Sequence, residues 1–96
     1  MGPTLQIDNR VVAVHEGVTR IGRSITADVE IEDIAVSRRH ALIVREGDVT
    51  VLLDDGSRNG TFLNGVRVGR AVLADGDQIA VGRAVLRYAV AELIAA

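Results

Sequence analysis

Ten glycines divide the 96-residue chain into short runs rich in Val, Ile and Leu. Val and Ile together supply 23 residues, and their branched side chains favour extended backbone over helix. No stretch has the apolar period of a long amphipathic helix. Because short apolar runs between turn residues are typical of sandwiches and barrels, the sequence predicts an all-β domain of about ten strands.

Turn-forming residues set the expected limits of these strands. We expect strands at 4–8, 11–15, from Ile21 to about residue 24, 29–31, 40–45, 49–53, 61–63, 66–68, 78–81 and 85–90. Asn64 and Gly65 form the strongest hairpin signal, because both tolerate a positive φ. Residues 32–39 and 54–60 should be loops. In the strand at 49–53, alternation places Val49, Val51 and Leu53 on one face.

The length fits one domain and is too short for a two-domain enzyme with a cleft between lobes. We therefore predict a single domain over 1–96, with a core at about 5–90. Residues 91–96 are small and apolar, and we interpret them as a tail or the start of a linker.

Composition excludes several classes of protein. With no Cys and two His, neither a disulfide framework nor a common zinc site is available, and we expect no metal and no cofactor. A net charge of −2 and only two aromatic residues, Phe62 and Tyr88, make a poor nucleic-acid surface. No apolar run approaches the roughly 18 residues of a membrane span, and no signal peptide opens the chain. We therefore expect no nucleic-acid or membrane partner, and a cytoplasmic location.

Three predicted loop segments concentrate polar side chains. They are residues 22–24 (Gly-Arg-Ser), 37–40 (Ser-Arg-Arg-His) and 56–61 (Gly-Ser-Arg-Asn-Gly-Thr). All eleven basic residues of the chain are Arg, whose planar guanidinium donates bidentate hydrogen bonds to oxyanions. Together with hydroxyls, an amide and glycine-rich backbone, these groups suit a phosphate monoester.

The order and spacing of these motifs resemble the forkhead-associated (FHA) domain. The matching residues are Gly22-Arg23, Ser37 with His40, Asn59-Gly60-Thr61 and Asn64-Gly65. The resemblance covers about 5–90. It implies an FHA-like β-sandwich of about eleven short, mostly antiparallel strands, with binding loops at one end. It also implies binding of a phosphothreonine-containing protein or peptide, such as a Ser/Thr kinase or its substrate.

The resemblance also implies roles for individual residues. Arg23 matches the arginine that pairs with the phosphate, and Ser37 matches the serine whose hydroxyl bonds a phosphate oxygen. Arg38 stands where backbone, and a basic side chain if present, contacts the phosphate. Asn59 matches the asparagine that holds the peptide backbone beside the phosphothreonine.

Other positions are implied to support the site. His40 matches a histidine that braces the binding loops, while Gly22 and Gly60 match positions of special backbone geometry. Arg58 departs from the family pattern, in which a small hydroxyl residue is common. Either Arg58 adds charge to the phosphate, or it faces solvent and Ser57 supplies the hydroxyl.

Two alternative functions belong to other classes. The same sandwich could serve as a phospho-independent scaffold or oligomerisation domain. Ser37 and His40 could form a nucleophile and base, but no orienting acid or oxyanion-hole motif accompanies them, so we predict that the chain is not an enzyme. Asp54 and Asp55 lack calcium-loop spacing and are interpreted as solvated turn residues.

Overall fold

The computed structural model describes residues 2–90, in which eleven strands and no helix are present. The strands are β1 (Pro3–Ile7), β2 (Arg10–Ala13), β3 (Gly17–Gly22), β4 (Val29–Glu30), β5 (Ala41–Glu46), β6 (Val49–Asp54), β7 (Thr61–Leu63), β8 (Val66–Val68), β9 (Arg70–Val72), β10 (Gln78–Val81) and β11 (Ala84–Val90). The predicted tail at 91–96 lies outside the described residues. The all-β prediction is confirmed.

The strands form two sheets that pack as a sandwich. One has six strands in the order β2-β1-β11-β10-β7-β8, and the other has five in the order β4-β3-β5-β6-β9. Of the strand pairs in these sheets, β3 with β4 is parallel and the others with assigned register are antiparallel. This arrangement confirms the mostly antiparallel sandwich.

The core lies between the sheets and consists almost entirely of aliphatic side chains. Fully buried members include Leu5, Ile43, Leu52, Ile79 and Leu86. Alternation along each strand turns these side chains inward and leaves their neighbours outside. A hydrogen bond also crosses this core, in which the Tyr88 hydroxyl donates to Thr50 Oγ1 at 2.8 Å.

Two strand predictions need correction. β3 begins at Gly17 rather than at Ile21, because its first inward residue is the polar Thr19, which is buried and hides the apolar pattern. β9 was not predicted, since Arg70–Val72 is short and carries a charge. It forms because it pairs with the edge of β6, which is a tertiary contact.

The face shared by Val49, Val51 and Leu53 exists, but it is the outer face of the five-stranded sheet. The inward residues of β6 are Thr50 and Leu52, which are both buried. A threonine is tolerated in the core here because its hydroxyl is satisfied by Tyr88. The apolar side chains of the other face are consequently left at the surface.

The predicted hairpin turn at Asn64 and Gly65 is confirmed, with φ of 50° and 85°. The turn is also fastened to the next hairpin. Asn64 Oδ1 accepts from the Gln78 N–H at 2.9 Å, and Asn64 Nδ2 donates to Asp77 at 3.0 Å.

Four connections meet at one end of the sandwich. They are the loops 23–28, 31–40 and 55–60 and the turn at Gly82 and Arg83. The end of β3, the start of β5 and the end of β6 lie side by side, because Ile21 pairs with Ala41 and Ala41 with Asp54. The three polar segments of the sequence are thereby brought together. Across residues 2–90, the fold offers no helix that is long and apolar enough to span a membrane.

Candidate functional site

At this end of the sandwich, the start of the 23–28 loop lies along the 31–40 loop. The Arg23 N–H donates to the Ser37 carbonyl at 3.0 Å, and the Ser24 N–H donates to the Arg38 carbonyl at 3.2 Å. On the strand side, the His40 N–H donates to the Ile21 carbonyl at 3.0 Å. These bonds extend the β3–β5 pairing into the loops and fix Arg23 beside Ser37 and Arg38.

Gly22 permits the close approach of these two segments. A Cβ added at Gly22 would lie 2.0 Å from the Arg38 carbonyl oxygen and 3.2 Å from the Ser37 carbonyl oxygen. Both neighbours are backbone atoms, which move only if the loop moves. Glycine is therefore required here for space, and its φ is not in the left-handed region.

His40 is fully buried and joins the 31–40 loop to the 55–60 loop. Its Nδ1 accepts from the Ser37 N–H at 3.0 Å, and its Nε2 lies 2.8 Å from the Gly60 carbonyl oxygen. A backbone N–H only donates and a carbonyl only accepts, so Nδ1 is unprotonated and Nε2 carries the hydrogen. The ring thus bonds backbone atoms on both sides and has no bond to the Ser37 hydroxyl.

Asp54 organises the 55–60 loop. Its carboxylate accepts from the Ser57 N–H at 3.1 Å, from the Ser57 hydroxyl, and from the Thr61 hydroxyl at 2.7 Å. Burial opposes ionisation, but these hydrogen bonds outweigh it and lower the pKa of Asp54 below its ordinary value. The interpretation of Asp54 as a solvated turn residue is therefore wrong.

Ser57 faces the interior of its own loop. Its hydroxyl donates to Asp54 and accepts from the Gly60 N–H at 3.0 Å, so its donor is already engaged. Gly60 has a φ of +92°, which favours glycine, and its carbonyl oxygen is the acceptor for His40. Asp54, Ser57, Gly60 and His40 therefore form one hydrogen-bonded chain behind the loops.

Three side chains are each anchored by one hydrogen bond and keep a further donor or acceptor unengaged. Arg23 Nε donates to the Val36 carbonyl at 3.0 Å, and Asn59 Nδ2 donates to the Ala35 carbonyl at 2.8 Å. Ser37 Oγ accepts from the Arg58 N–H at 2.9 Å. Within residues 2–90, no hydrogen bond uses the Arg23 Nη groups, the Ser37 O–H or Asn59 Oδ1. The site therefore presents two kinds of donor and one acceptor on a fixed frame.

Further guanidinium groups lie at this end of the sandwich. Arg38 and Arg58 are exposed, and their side chains make no hydrogen bond or ion pair with other residues in the described range. Arg39 lies 3.4 Å from Asp55 and is 81% exposed, so this ion pair is weak. Residues 23, 38 and 58 thus place three guanidinium groups in adjoining loops at this end of the sandwich.

Asp33 holds the tip of the 31–40 loop and was missed by sequence reasoning. Its carboxylate accepts from the Ala35 N–H and from the Arg83 N–H, each at 2.9 Å. These backbone hydrogen bonds lower the pKa of Asp33. The bond to Ala35 is a local turn that an Asp in a loop suggests, but the bond to Arg83 spans 50 residues. Ile34 beside it is 88% exposed.

A metal site is not formed by the residues that the structure describes, because no three His, Asp or Glu side chains among them converge. Asp75 and Asp77 instead accept backbone hydrogen bonds, from Val90 and Ala74 respectively, each at 2.8 Å.

Known proteins resemble this chain in both sequence and fold. The model of the FHA domain family matches residues 19–82. The glycogen accumulation regulator GarA of Mycolicibacterium smegmatis is 43% identical over 65 residues, which are 68% of this chain and 41% of GarA. The chain spans less than half the length of the curated relatives it matches.

Two solved structures superpose closely. One comes from a structural and functional analysis of phosphothreonine-dependent FHA domain interactions; its TM-score is 0.92 at 38% identity, over 97% of this chain and 100% of that one. The other is the FHA domain of FhaA complexed with the intracellular domain of another protein, with a TM-score of 0.86 at 39% identity, over 90% of this chain and 98% of that one. Since the family model matches about two thirds of the chain and these structures superpose on nearly all of it, the chain belongs to the forkhead-associated domain family.

Proposed function

We propose that this chain is a phosphothreonine-dependent binding module, whose partner is a phosphorylated protein in Ser/Thr-kinase signalling. One observation carries the proposal. Arg23 and Asn59 are each fixed to the 31–40 loop by one side-chain nitrogen, and Ser37, within that loop, accepts from the Arg58 N–H. Within residues 2–90, the Arg23 Nη groups, the Ser37 O–H and Asn59 Oδ1 make no hydrogen bond. A scaffold that ignored phosphate would have no use for this set, whereas a phosphorylated peptide needs donors for its oxyanion and an acceptor for its backbone.

The phosphate is held by charged and neutral donors acting together. The Nη groups of Arg23 supply charge-assisted hydrogen bonds, each contributing about 1.5–3 kcal/mol, and the Ser37 hydroxyl adds a short neutral one. Arg38 contributes charge at the next residue. Because a phosphate carries nearly two charges and three acceptor oxygens, Asp and Glu are poor substitutes for it.

Asn59 holds the peptide rather than the phosphate. One N–H of its Nδ2 donates to the Ala35 carbonyl, which orients the side chain, and its Oδ1 is unengaged within residues 2–90. That oxygen accepts from a peptide N–H beside the phosphothreonine. The same bond to Ala35 keeps the exposed Ile34 next to the path of the peptide, where it contacts the residues that follow the phosphothreonine.

Arg58 and Ser57 receive different roles. The Ser57 hydroxyl is engaged by Asp54 and Gly60, which leaves it without a donor for phosphate. Arg58 is tethered through its N–H to Ser37 Oγ, while its guanidinium has no partner in the described residues. We therefore assign the additional phosphate contact to Arg58 and a loop-forming role to Ser57.

The proposed module binds and does not catalyse, and it acts in the cytoplasm without a cofactor or metal. A Ser37 nucleophile would need His40 as its base. The His40 Nδ1 lone pair already accepts from the Ser37 N–H, and Nε2 faces Gly60. Neither ring nitrogen is therefore available to the hydroxyl.

The first test is titration with fluorescent phosphothreonine peptides randomised on both sides, alongside unphosphorylated and phosphoserine twins. We expect micromolar binding of the phosphothreonine pool and none of the unphosphorylated pool. Arg23→Ala should weaken binding by about 2–4 kcal/mol, at least about 30-fold, because the phosphate loses its charged partner. Arg87→Ala removes the same charge at an exposed position of β11 and should leave binding nearly unchanged. Equal binding of both pools would refute the proposal.

A matched pair of serine variants separates contact from support. Ser37→Ala removes a proposed phosphate donor, so affinity should fall about tenfold or more. Ser57→Ala removes a loop bond, so the free energy of unfolding should fall while the affinity of the folded protein changes little. The assignment of Ser57 fails if its variant loses as much affinity as the Ser37 variant at equal stability.

A further inference from the structure

A row of four valines crosses the outer face of the five-stranded sheet. Strand register places Val18 opposite Val44, Val44 opposite Val51, and Val51 opposite Val72. The outermost members, Val18 and Val72, are 47% and 57% exposed. The row is therefore continuous across β3, β5, β6 and β9 and lies in solvent.

The neighbouring rows are charged with opposite sign. Toward the phosphopeptide end, Arg20 lies opposite Leu42, which lies opposite Leu53, and Leu53 lies opposite Arg70. Toward the other end, Glu46 lies opposite Val49.

Glu16 adds a second carboxylate to the acidic edge. It accepts hydrogen bonds from the N–H of Gly47, in the turn that follows Glu46, at 2.9 and 3.1 Å. The face thus has two arginines along one edge and two glutamates at the other, with valines and leucines between them.

Among the four edge charges, Glu16 has an ion-pair partner inside the chain, since its Oε1 lies 3.9 Å from Arg45 Nε. Within residues 2–90, the guanidinium groups of Arg20 and Arg70 and the carboxylate of Glu46 make no hydrogen bond or ion pair. A contiguous apolar patch bordered by unpaired charge is the usual mark of an interaction surface. We call the residues from these three rows the valine face.

We propose that the valine face binds a second copy of this chain, with a two-fold axis parallel to the valine row. Rotation about that axis turns the second sheet over and exchanges its two edges. Arg20 of one copy then faces Glu16 and Glu46 of the other, and the valine rows lie against each other. An axis along the strands would instead place Arg20 of one copy opposite Arg70 of the other, which like-charge repulsion disfavours.

The size of the face sets the strength of the dimer. Four strands at about 4.8 Å spacing and three rows about 7 Å apart cover on the order of 400 Å² with their side chains. A stable interface buries about 800 Å² on each partner. The dimer is therefore weak and depends on protein concentration.

The arrangement leaves both phosphopeptide sites open. Exchange of the two edges points the site ends of the two copies in opposite directions. Dimerisation therefore neither covers Arg23 and Ser37 nor requires phosphate, and it is independent of the function proposed above.

Sedimentation equilibrium of the full chain at low salt, from micromolar to near-millimolar concentration, tests the proposal. The apparent mass should rise from that of a monomer toward that of a dimer. Glu46→Arg should raise the dissociation constant about tenfold or more, because it faces Arg20 of the second copy. The double variant Glu46→Arg with Arg20→Glu restores opposite charge and should recover most of the affinity.

Two further variants keep this test decisive. Val72 is exposed on the edge strand β9, so Val72→Asp should leave the fold intact. The same substitution should abolish association. Arg87→Glu changes charge as Arg20→Glu does but lies on the other sheet, and it should have no effect. A wild-type monomer at all concentrations overturns the proposal, as does a double variant that folds by circular dichroism without regaining affinity. Normal phosphopeptide titration in each case leaves the proposed function standing.

Discussion

The two ends of the five-stranded sheet are closed in different ways. At the turn end, β5 and β6 are joined by Gly47 and Asp48 between the paired residues Glu46 and Val49. Gly47 adopts a φ of +61°, and the side-chain bonds that it receives, from Glu16 and Arg45, are exposed at the surface. At the site end, side chains from three loops make the closure, with His40 at its centre. Side-chain substitutions should therefore have much larger effects at the site end.

The largest expected effect belongs to His40→Ala. The substitution leaves a buried cavity and two unpaired backbone groups, and we expect it to lower the free energy of unfolding by about 3–5 kcal/mol. Asp48→Ala at the turn end should change it by no more than about 0.5 kcal/mol. Urea denaturation measures both. Similar losses for the two variants would break the distinction between the ends.

A smaller loss is expected for Gly22→Ala. Its Cβ would meet the Arg38 carbonyl, so the 31–40 loop must shift, at a cost of about 1–3 kcal/mol. Because Ser37 and Arg38 move with the loop, phosphopeptide affinity should fall as well. Gly69→Ala is the matched control, since nothing lies within 4 Å of its Cβ and its φ is not positive. A Gly22 variant as stable as the Gly69 variant would show that the close approach is not required.

The smallest effect is the acid dependence caused by Asp54. Its pKa is lowered in the folded state, so its contribution is fully present above the ordinary value of 3.8 and is lost as pH falls through the lowered folded value. Asp54→Asn should therefore flatten the loss of stability at low pH and cost about 1–2 kcal/mol at neutral pH. Thermal denaturation at pH 7 and pH 3 measures the difference. If the variant lost stability at low pH as steeply as the wild type, the Asp54 carboxylate would not be what stabilises the 55–60 loop.

Local sequence signals predicted much of the fold. Branched side chains and glycine spacing indicated an all-β sandwich or barrel, and Asn64 with Gly65 indicated a hairpin that exists. β9 was not predictable from the sequence, because its three residues form a strand only through pairing with β6. The inward face of β6 was hidden because a threonine, satisfied by Tyr88, occupies the core while valines remain outside.

The functional site could likewise be predicted only in part from the sequence. Arg23, Ser37, Asn59 and His40 could be named from motif order, and the structure places all four at one end of the sandwich. Asp33 and Asp54 could not, because their importance depends on hydrogen bonds to loops that meet only in the folded chain. The roles proposed for Ser57 and Arg58 likewise rest on where the Ser57 hydroxyl points, which the sequence does not specify.

The sequence by itself therefore determined the class of fold, the family and the chemistry available for binding, because these follow from residue types and their local spacing. Only the tertiary structure decided which polar atoms remain unengaged and which face of each strand is buried. It also aligned four valines and two charged edges into one surface. Those features depend on strand register and loop contacts between distant residues, and a local pattern does not specify them.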